Sequence, residues 1–179
     1  MIRLFTAIEI PESVRLRLSL LQGGVPSARW IPPENLHLTL RFIGDIDETT
    51  AADIDAVLAN LRSPAFELTL KGVGEFGGRD PHALWAGVAP NPDLLHLVAK
   101  IERALQRAGL AAETRKYAPH VTLARLRDAP LPKVLEFITA NNLFNSGPFA
   151  AKSYTLFSSH QTAKGSLYRP ERRYELDVG

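Results

Sequence analysis

The residues best suited to chemistry in this sequence form two short motifs with the same pattern. In each motif a histidine is followed two positions later by a threonine: His37 and Thr39 in HLTL, then His120 and Thr122 in HVTL, 83 residues further along. Because side chains alternate between the two faces of a β-strand, each motif would present an imidazole and a hydroxyl together and bury two apolar side chains. We therefore expect two similar strands, each carrying an imidazole and a hydroxyl on one face.

Two histidines and two threonines suit displacement at a phosphodiester. Histidine titrates near neutral pH, so one imidazole can accept a proton from an attacking water while the other donates a proton to the leaving oxygen. Threonine hydroxyls can donate hydrogen bonds to the non-bridging phosphoryl oxygens. The residues alone do not say which histidine donates, because the two motifs are nearly symmetric.

Both motifs begin strands that follow proline, after Pro32-Pro33 and after Pro119. Apolar periodicity and turn residues predict the other elements. The predicted strands are 2–10, 36–44, 66–74, 83–89, 119–125, 153–159 and 167–178, and the predicted helices are 11–22, 49–61, 93–110 and 131–142. This alternation predicts an α+β domain. Each half contains a strand, a helix and a proline-headed histidine strand, which indicates a weak internal duplication.

Composition and charge exclude several classes of protein. Lys and Arg number 21 against 19 Asp and Glu, a net charge of +2 that is too small for holding nucleic acid by bulk electrostatics. The absence of cysteine rules out disulfides and thiolate zinc sites. No apolar run approaches bilayer length and no signal peptide is evident, so we expect a cytoplasmic protein. With no Walker A motif and no third ligand beside the two histidines, we expect neither ATP nor a metal.

Four segments together resemble a known family. They are the opening RLFTAIEIP, HLTLRFIG, PHVTLAR and a closing strand with Gly165 and Tyr168. The paired His-x-Thr-x motifs resemble those of the 2H phosphoesterase superfamily, and within it the RNA 2′,3′-cyclic phosphodiesterase (2′-5′ RNA ligase, LigT/ThpR) family. The likeness covers essentially the whole chain. It implies one domain over residues 1–179 made of two closely packed lobes, with two similar antiparallel sheets flanking a central groove and helices outside.

The resemblance also implies an activity and a set of site residues. The activity is metal-independent hydrolysis of a terminal 2′,3′-cyclic phosphate on RNA to a 2′-phosphomonoester, without a cofactor. It implies that His37 is the proton donor and His120 the proton acceptor, and that Thr39 and Thr122 bind phosphate. RNA ends or small cyclic nucleotides would be the substrates, and neither a membrane nor an obligate protein partner is implied.

Three further residues are candidates for contacts with substrate. Arg125 is a phosphate-binding candidate because the family usually keeps an arginine there, although its odd offset from His120 requires a bulge, twist or strand end to bring it to the motif face. Arg41 lies at an even offset from His37, on the same nominal face. Tyr168 could stack on an unpaired terminal base. The other large aromatic side chains are predicted in the core: Trp30, Phe42 and Trp85.

Two alternatives remain open on the sequence. The same residues, by microscopic reversibility, would join a cyclic phosphate end to a 5′-hydroxyl and form a 2′-5′ linkage. The alternative from another class is a non-catalytic nucleotide or RNA-end-binding module that keeps the groove without turnover. Tight binding of a nucleotide monophosphate with no cleavage of a cyclic phosphate would favour that module.

Overall fold

Nine strands join in one hydrogen-bonded antiparallel arrangement in the computed structural model, which describes residues 1–178. The strands are β1 (Ile2–Glu9), β2 (Ala28–Trp30), β3 (His37–Ile46), β4 (Phe66–Phe76), β5 (Ala83–Val88), β6 (His120–Leu126), β7 (Asn145–Ala151), β8 (Ser153–Thr162) and β9 (Gly165–Glu175). The helices are α1 (Glu12–Leu21), α2 (Glu48–Ala59), α3 (Pro92–Arg107) and α4 (Leu131–Asn141), with a 3-10 turn at Pro33–Asn35. The predicted α+β class is confirmed.

The order of the strands brings the two motifs together. From one edge to the other the order is β7-β4-β5-β6-β3-β1-β8-β9, and β2 is added alongside β6. The motif strands β3 and β6 are therefore neighbours at the centre, although 83 residues separate their histidines. The sequence predicted the two strands but not that they would be hydrogen-bonded to each other.

The junction between β3 and β6 differs from the two separate sheets that the family resemblance implied. The strands join into one path through the pair Leu38–Val121, which we call the seam. The seam is short because β2 occupies the same edge of β6 from Ala124 to Leu126. The two groups of strands thus meet at the motifs and are paired with other strands beyond them.

The alternating burial of the motif strands fixes which face carries the polar groups. Leu38 and Leu40 on β3, and Val121 and Leu123 on β6, are between 0% and 2% exposed. They pack in one apolar core with side chains from all four helices found in residues 1–178. Full burial of such an aliphatic side chain contributes about 1.5–3 kcal/mol, so a one-residue slip of either motif strand would be strongly disfavoured.

Strand β7 was not predicted from the sequence. It contains Gly147 and Pro148, which are tolerated because the strand pairs with β4 at an edge of the sheet. Helix α2 is capped by the side chain of Asp47, which accepts a hydrogen bond from the amide of Thr50. Among residues 1–178, helices of bilayer-spanning length and hydropathy are absent.

Candidate active site

The seam gathers the four motif side chains at one place. Because β3 and β6 are antiparallel and pair at Leu38–Val121, the flanking positions set His37 across from Thr122 and Thr39 across from His120. The two histidines are therefore diagonal neighbours, an arrangement that places their Cα atoms roughly 7–8 Å apart. All four flanking side chains are half-buried, whereas the seam residues are fully buried. This register brings the two motifs, which the sequence predicted separately, to one location.

Each imidazole is oriented by the backbone in the same way. The Nδ1 of His37 lies 2.7 Å from the carbonyl oxygen of Asn35, and the Nδ1 of His120 lies 2.7 Å from that of Ala118. A carbonyl oxygen can only accept, so Nδ1 carries the hydrogen in both rings. In the neutral rings the lone pair is then on Nε2, which has no hydrogen-bond partner within the described chain.

Aromatic side chains flank both imidazoles, and one of these aromatic residues was predicted from the sequence. The ring of Tyr168 stands edge-on to His37 with centroids 5.3 Å apart, and Phe5 lies 5.0 Å from the same imidazole. Phe76 stands edge-on to His120 at 4.8 Å. Tyr168 was predicted at the site; Phe5 and Phe76 were missed. The signal available for Phe76 was its place two residues beyond the predicted end of β4 at position 74.

The environment of His37 disfavours its protonated form. Burial is the largest cause that lowers the pKa of His37, and the positive charge of Arg125 and the nearby His120 lower it further. The hydrogen bond to the carbonyl of Asn35 opposes this shift.

A β-bulge explains how Arg125 reaches the motif face. On β5, Trp85 pairs with Thr122 and the adjacent Leu84 pairs with Ala124, so Leu123 is an extra residue on β6. The bulge shifts the alternation by one position, and Arg125 follows on the face of His120 and Thr122. The odd offset that argued against Arg125 in the sequence is resolved by this bulge.

A matching bulge on β3 has the opposite consequence for Arg41. On β1, Ala7 pairs with Thr39 and the adjacent Thr6 pairs with Arg41, so Leu40 is the extra residue. Arg41 leaves the nominal face of His37 and forms an ion pair with Glu102 of α3, with Nε 2.6 Å from the carboxylate. Hydrogen bonding to Arg41 is the main cause that lowers the pKa of Glu102, to about 2. The predicted even-offset placement of Arg41 beside His37 is wrong.

Four of the five N–H donors of the Arg41 guanidinium have partners in this position. Besides the two that reach Glu102, one donates to the carbonyl oxygen of Phe42 at 2.7 Å and one to that of Ala111 at 2.8 Å. These bonds hold the segment before β6 against β3. The same junction is closed by Tyr117, whose hydroxyl donates to the carbonyl oxygen of Thr39 at 2.7 Å.

Two pockets open beside the seam, and each contains one of the histidines. The larger has a volume of about 500 Å³ and contains His120 and Thr39; the smaller, of about 250 Å³, contains His37 with Phe5 and Tyr168. Their lining sets have no member in common among residues 1–178. Phe42 lines the larger pocket and is 46% exposed, so its predicted place in the core is wrong. The two tryptophans are half-buried: Trp30 against Phe137, and Trp85 against Phe76.

Comparison with known proteins places the chain in a family. The model of the 2′-5′ RNA ligase superfamily matches residues 11–162. The chain is 35% identical over 158 residues to the RNA 2′,3′-cyclic phosphodiesterase of Aeropyrum pernix, covering 87% of this chain and 89% of that protein.

Two solved structures extend the likeness over 98% of each chain at 26% identity. They are TT0787 of Thermus thermophilus, with a TM-score of 0.86, and E. coli LigT complexed with 3′-AMP, with a TM-score of 0.80. The E. coli complex shows that a protein of this fold accommodates a nucleotide carrying a 3′-phosphate. On the family model, the sequence identity and the fold, this chain belongs to the 2′-5′ RNA ligase superfamily.

Proposed function

We propose that this protein hydrolyses the 2′,3′-cyclic phosphate at RNA ends to a 2′-phosphomonoester, using two histidines and no metal. The observation that carries the proposal is the seam, where two imidazoles with unpartnered Nε2 atoms and two threonine hydroxyls converge. The shared name of the curated relatives, RNA 2′,3′-cyclic phosphodiesterase, supports the substrate class.

The proposed reaction is a single in-line displacement at phosphorus. His120 removes a proton from the attacking water through Nε2 while the new P–O bond forms. The P–O3′ bond breaks, and protonated His37 donates the proton on its Nε2 to the departing 3′-oxygen. The phosphate stays on the 2′-oxygen, so the product is a 2′-phosphomonoester with a free 3′-hydroxyl. With a 5′-hydroxyl in place of water as the nucleophile, the same displacement forms a 2′-5′ linkage.

The charge that develops on phosphorus needs stabilisation from fixed donors. Thr39 and Thr122 are assigned to the non-bridging oxygens, because the register sets one hydroxyl opposite each histidine. Arg125 is assigned to the same oxygens, supported by its place on the motif face and by its effect on the pKa of His37. Tyr168 is assigned to the terminal nucleoside in the smaller pocket. Arg41 is assigned to the pocket wall, because four of its five donors are already engaged.

The two halves of the fold support an internal duplication with an approximate two-fold axis at the seam. The strand order reads outward from the seam as β3-β1-β8-β9 on one side and β6-β5-β4-β7 on the other. Each motif strand is preceded by a strand and a helix (β1 and α1, β5 and α3) and followed by another helix. Each also carries a bulge at the residue after its threonine. We infer two intimately packed lobes in one domain.

The proposal is tested with an RNA oligonucleotide that ends in a 2′,3′-cyclic phosphate. The enzyme is treated with a chelator, and the position of the product phosphate is assigned by ³¹P NMR. We expect undiminished turnover and a 2′-phosphate. A 3′-phosphate product would contradict the assignment of the 3′-oxygen as the leaving group, and loss of activity that added metal restores would contradict the metal-free mechanism. Tight binding of 3′-AMP with no turnover would favour the non-catalytic module.

A further inference from the structure

The larger pocket lies on the His120 side of the seam and is distinct from the pocket that contains His37. It is bounded by β3, by α3 and by the segment that leads into β6. His120 and Thr39 are part of its lining, so a group bound there reaches the catalytic centre from the His120 side. The proposed hydrolysis of a cyclic phosphate leaves this pocket without an occupant, since water alone approaches from that side.

In-line geometry divides the two sides of the seam between two reactants. The leaving 3′-oxygen and the incoming nucleophile lie on opposite sides of the phosphorus atom. The 3′-oxygen belongs to the nucleoside that carries the cyclic phosphate, so that nucleoside lies with the proton donor His37 and the smaller pocket. The nucleophile lies with His120 and the larger pocket.

We propose that the larger pocket binds the terminal nucleoside of a second RNA strand, whose 5′-hydroxyl is the nucleophile in 2′-5′ ligation. This inference rests on the proposed function, including the assignment of His37 as donor and His120 as acceptor. His120 takes the proton of the 5′-hydroxyl as the P–O5′ bond forms. The P–O3′ bond breaks and His37 protonates the 3′-oxygen, so no external energy source is consumed.

The walls of the pocket suit an unpaired nucleoside. Its volume of about 500 Å³ is in the range of sites that enclose small organic ligands. Phe42 is 46% exposed and Leu95 is 51% exposed on opposite walls, and Tyr117 is half-buried between β3 and β6. Aromatic faces on which a base stacks typically contribute about 1–3 kcal/mol per base and tolerate any sequence. Exposed apolar side chains that converge on one pocket indicate a ligand that covers them.

The charges around the pocket favour an anionic strand over a cationic ligand. Both acidic residues of the lining are neutralised, Glu102 by Arg41 at 2.6 Å and Glu113 by Arg115 at 3.2 Å. Lys116 is exposed in the lining and forms no ion pair with the residues at positions 1–178. Because the carboxylates are paired and the lysine is not, the pocket lining has a net positive charge. This charge would attract the phosphates that follow a 5′-terminal nucleoside.

The test compares two products of the same turnover. RNA ending in a 2′,3′-cyclic phosphate is incubated with increasing concentrations of a 5′-hydroxyl RNA, and the ratio of 2′-5′-joined product to 2′-phosphomonoester is measured. The ratio is independent of how much enzyme is folded. Ala99 is exposed on α3 and lines the pocket, so Ala99→Trp fills it. Ala52, exposed on α2 and outside both pockets, provides the matched control Ala52→Trp.

We expect Ala99→Trp to lower the ratio about tenfold, which corresponds to about 1.4 kcal/mol in binding of the second strand, and Ala52→Trp to leave it unchanged. A second variant protects the test against misfolding. Lys116→Glu should lower the ratio several-fold at low salt, and the control Lys152→Glu, an exposed lysine outside both pockets, should not.

Three results would overturn the inference. The first is an unchanged ratio in both pocket variants, and the second is the absence of joined product at saturating 5′-hydroxyl RNA while hydrolysis proceeds. The third is an unchanged ratio with slower hydrolysis of the oligonucleotide but not of a cyclic mononucleotide, which assigns the pocket to the upstream part of the first strand. Failure of the proposed function is recognised separately, because no cyclic phosphate would then be consumed.

Discussion

The two halves of the site share a backbone design and differ in what surrounds it. In each half a histidine donates from Nδ1 to a carbonyl two residues earlier, and the strand bulges directly after the threonine. His37 is enclosed by Phe5 and Tyr168 in the smaller pocket, whereas His120 contacts Phe76 and borders the larger one. The repeated backbone orients the two imidazoles in the same way, and the neighbours that are not repeated give each imidazole a different environment.

The most direct test of the difference between the two halves is to remove each imidazole separately. His37→Ala and His120→Ala should each lower kcat for hydrolysis about 10²–10⁴-fold, the usual contribution of a positioned acid or base. The two variants should differ on a phosphodiester with a phenol leaving group, because the phenolate leaves without being protonated. With that substrate, His37→Ala should recover most of the wild-type activity and His120→Ala should recover none of it. Equal recovery in the two variants would show that the halves are not specialised as proposed.

The two arginines that follow the two bulges provide a second contrast. Arg125→Gln should lower kcat/KM about 10²-fold, because a cationic donor to the phosphate is lost. It should also raise the pKa of His37, because the positive charge of Arg125 is one of the causes that hold that pKa below its ordinary value. The His37 ring titration is followed by NMR.

Arg127→Gln is the control for this pair of measurements, since Arg127 is an exposed arginine beyond the end of β6. Its kinetics and the His37 titration should match those of the wild-type protein. If Arg125→Gln left the titration of His37 where it was, the arginine would not face the imidazole in solution.

The smallest expected effect concerns stability. Arg41→Gln should lower the free energy of unfolding by about 1 kcal/mol at pH 7, since a partly exposed ion pair and its hydrogen bonds are lost. Arg41 lowers the pKa of Glu102 to about 2, so this contribution is present above pH 4.5 and disappears as pH falls toward 2. Urea unfolding at pH 7 and pH 3 measures the difference.

Arg3→Gln is the matched control, because Arg3 forms a comparable pair with Asp45 that is about half exposed on both sides. A loss within 0–1 kcal/mol is typical of such surface pairs. An equal loss from both arginine variants at pH 7 would mean that the Arg41–Glu102 contact contributes nothing beyond a surface ion pair.

Side-chain alternation predicted the burial pattern of the two motifs correctly and failed just after them. His37, Thr39, His120 and Thr122 share the half-buried face because period two holds along each motif. The same rule misplaced Arg41 and argued against Arg125, because a bulge inserts one residue and reverses the faces beyond it. A bulge is a relation between two strands, so no pattern within one strand reports it.

Longer-range features were outside the reach of local patterns for a similar reason. The pairing of β3 with β6 joins positions 83 residues apart, and it is limited by β2, a three-residue strand too short for a periodic signal. Strand β7 was hidden by Gly147 and Pro148, which are acceptable at a sheet edge. Phe42 is exposed because the bulge at Leu40 reverses the faces of β3 beyond it, whereas its residue type alone predicted burial.

The carbonyl bonds to both Nδ1 atoms have a consequence for successive turnovers. They restrict each ring to one exchangeable position, Nε2, so the pair has four protonation states. In the proposed mechanism, hydrolysis starts from the state in which His37 is charged and His120 is neutral. Every completed reaction ends in the mirror state, with the charge moved across the seam. The enzyme is then primed for the backward reaction and must exchange protons with solvent before it can begin again. Buffers that transfer protons, and heavy water, should therefore change the rate of this proton exchange separately from the rate of P–O bond cleavage.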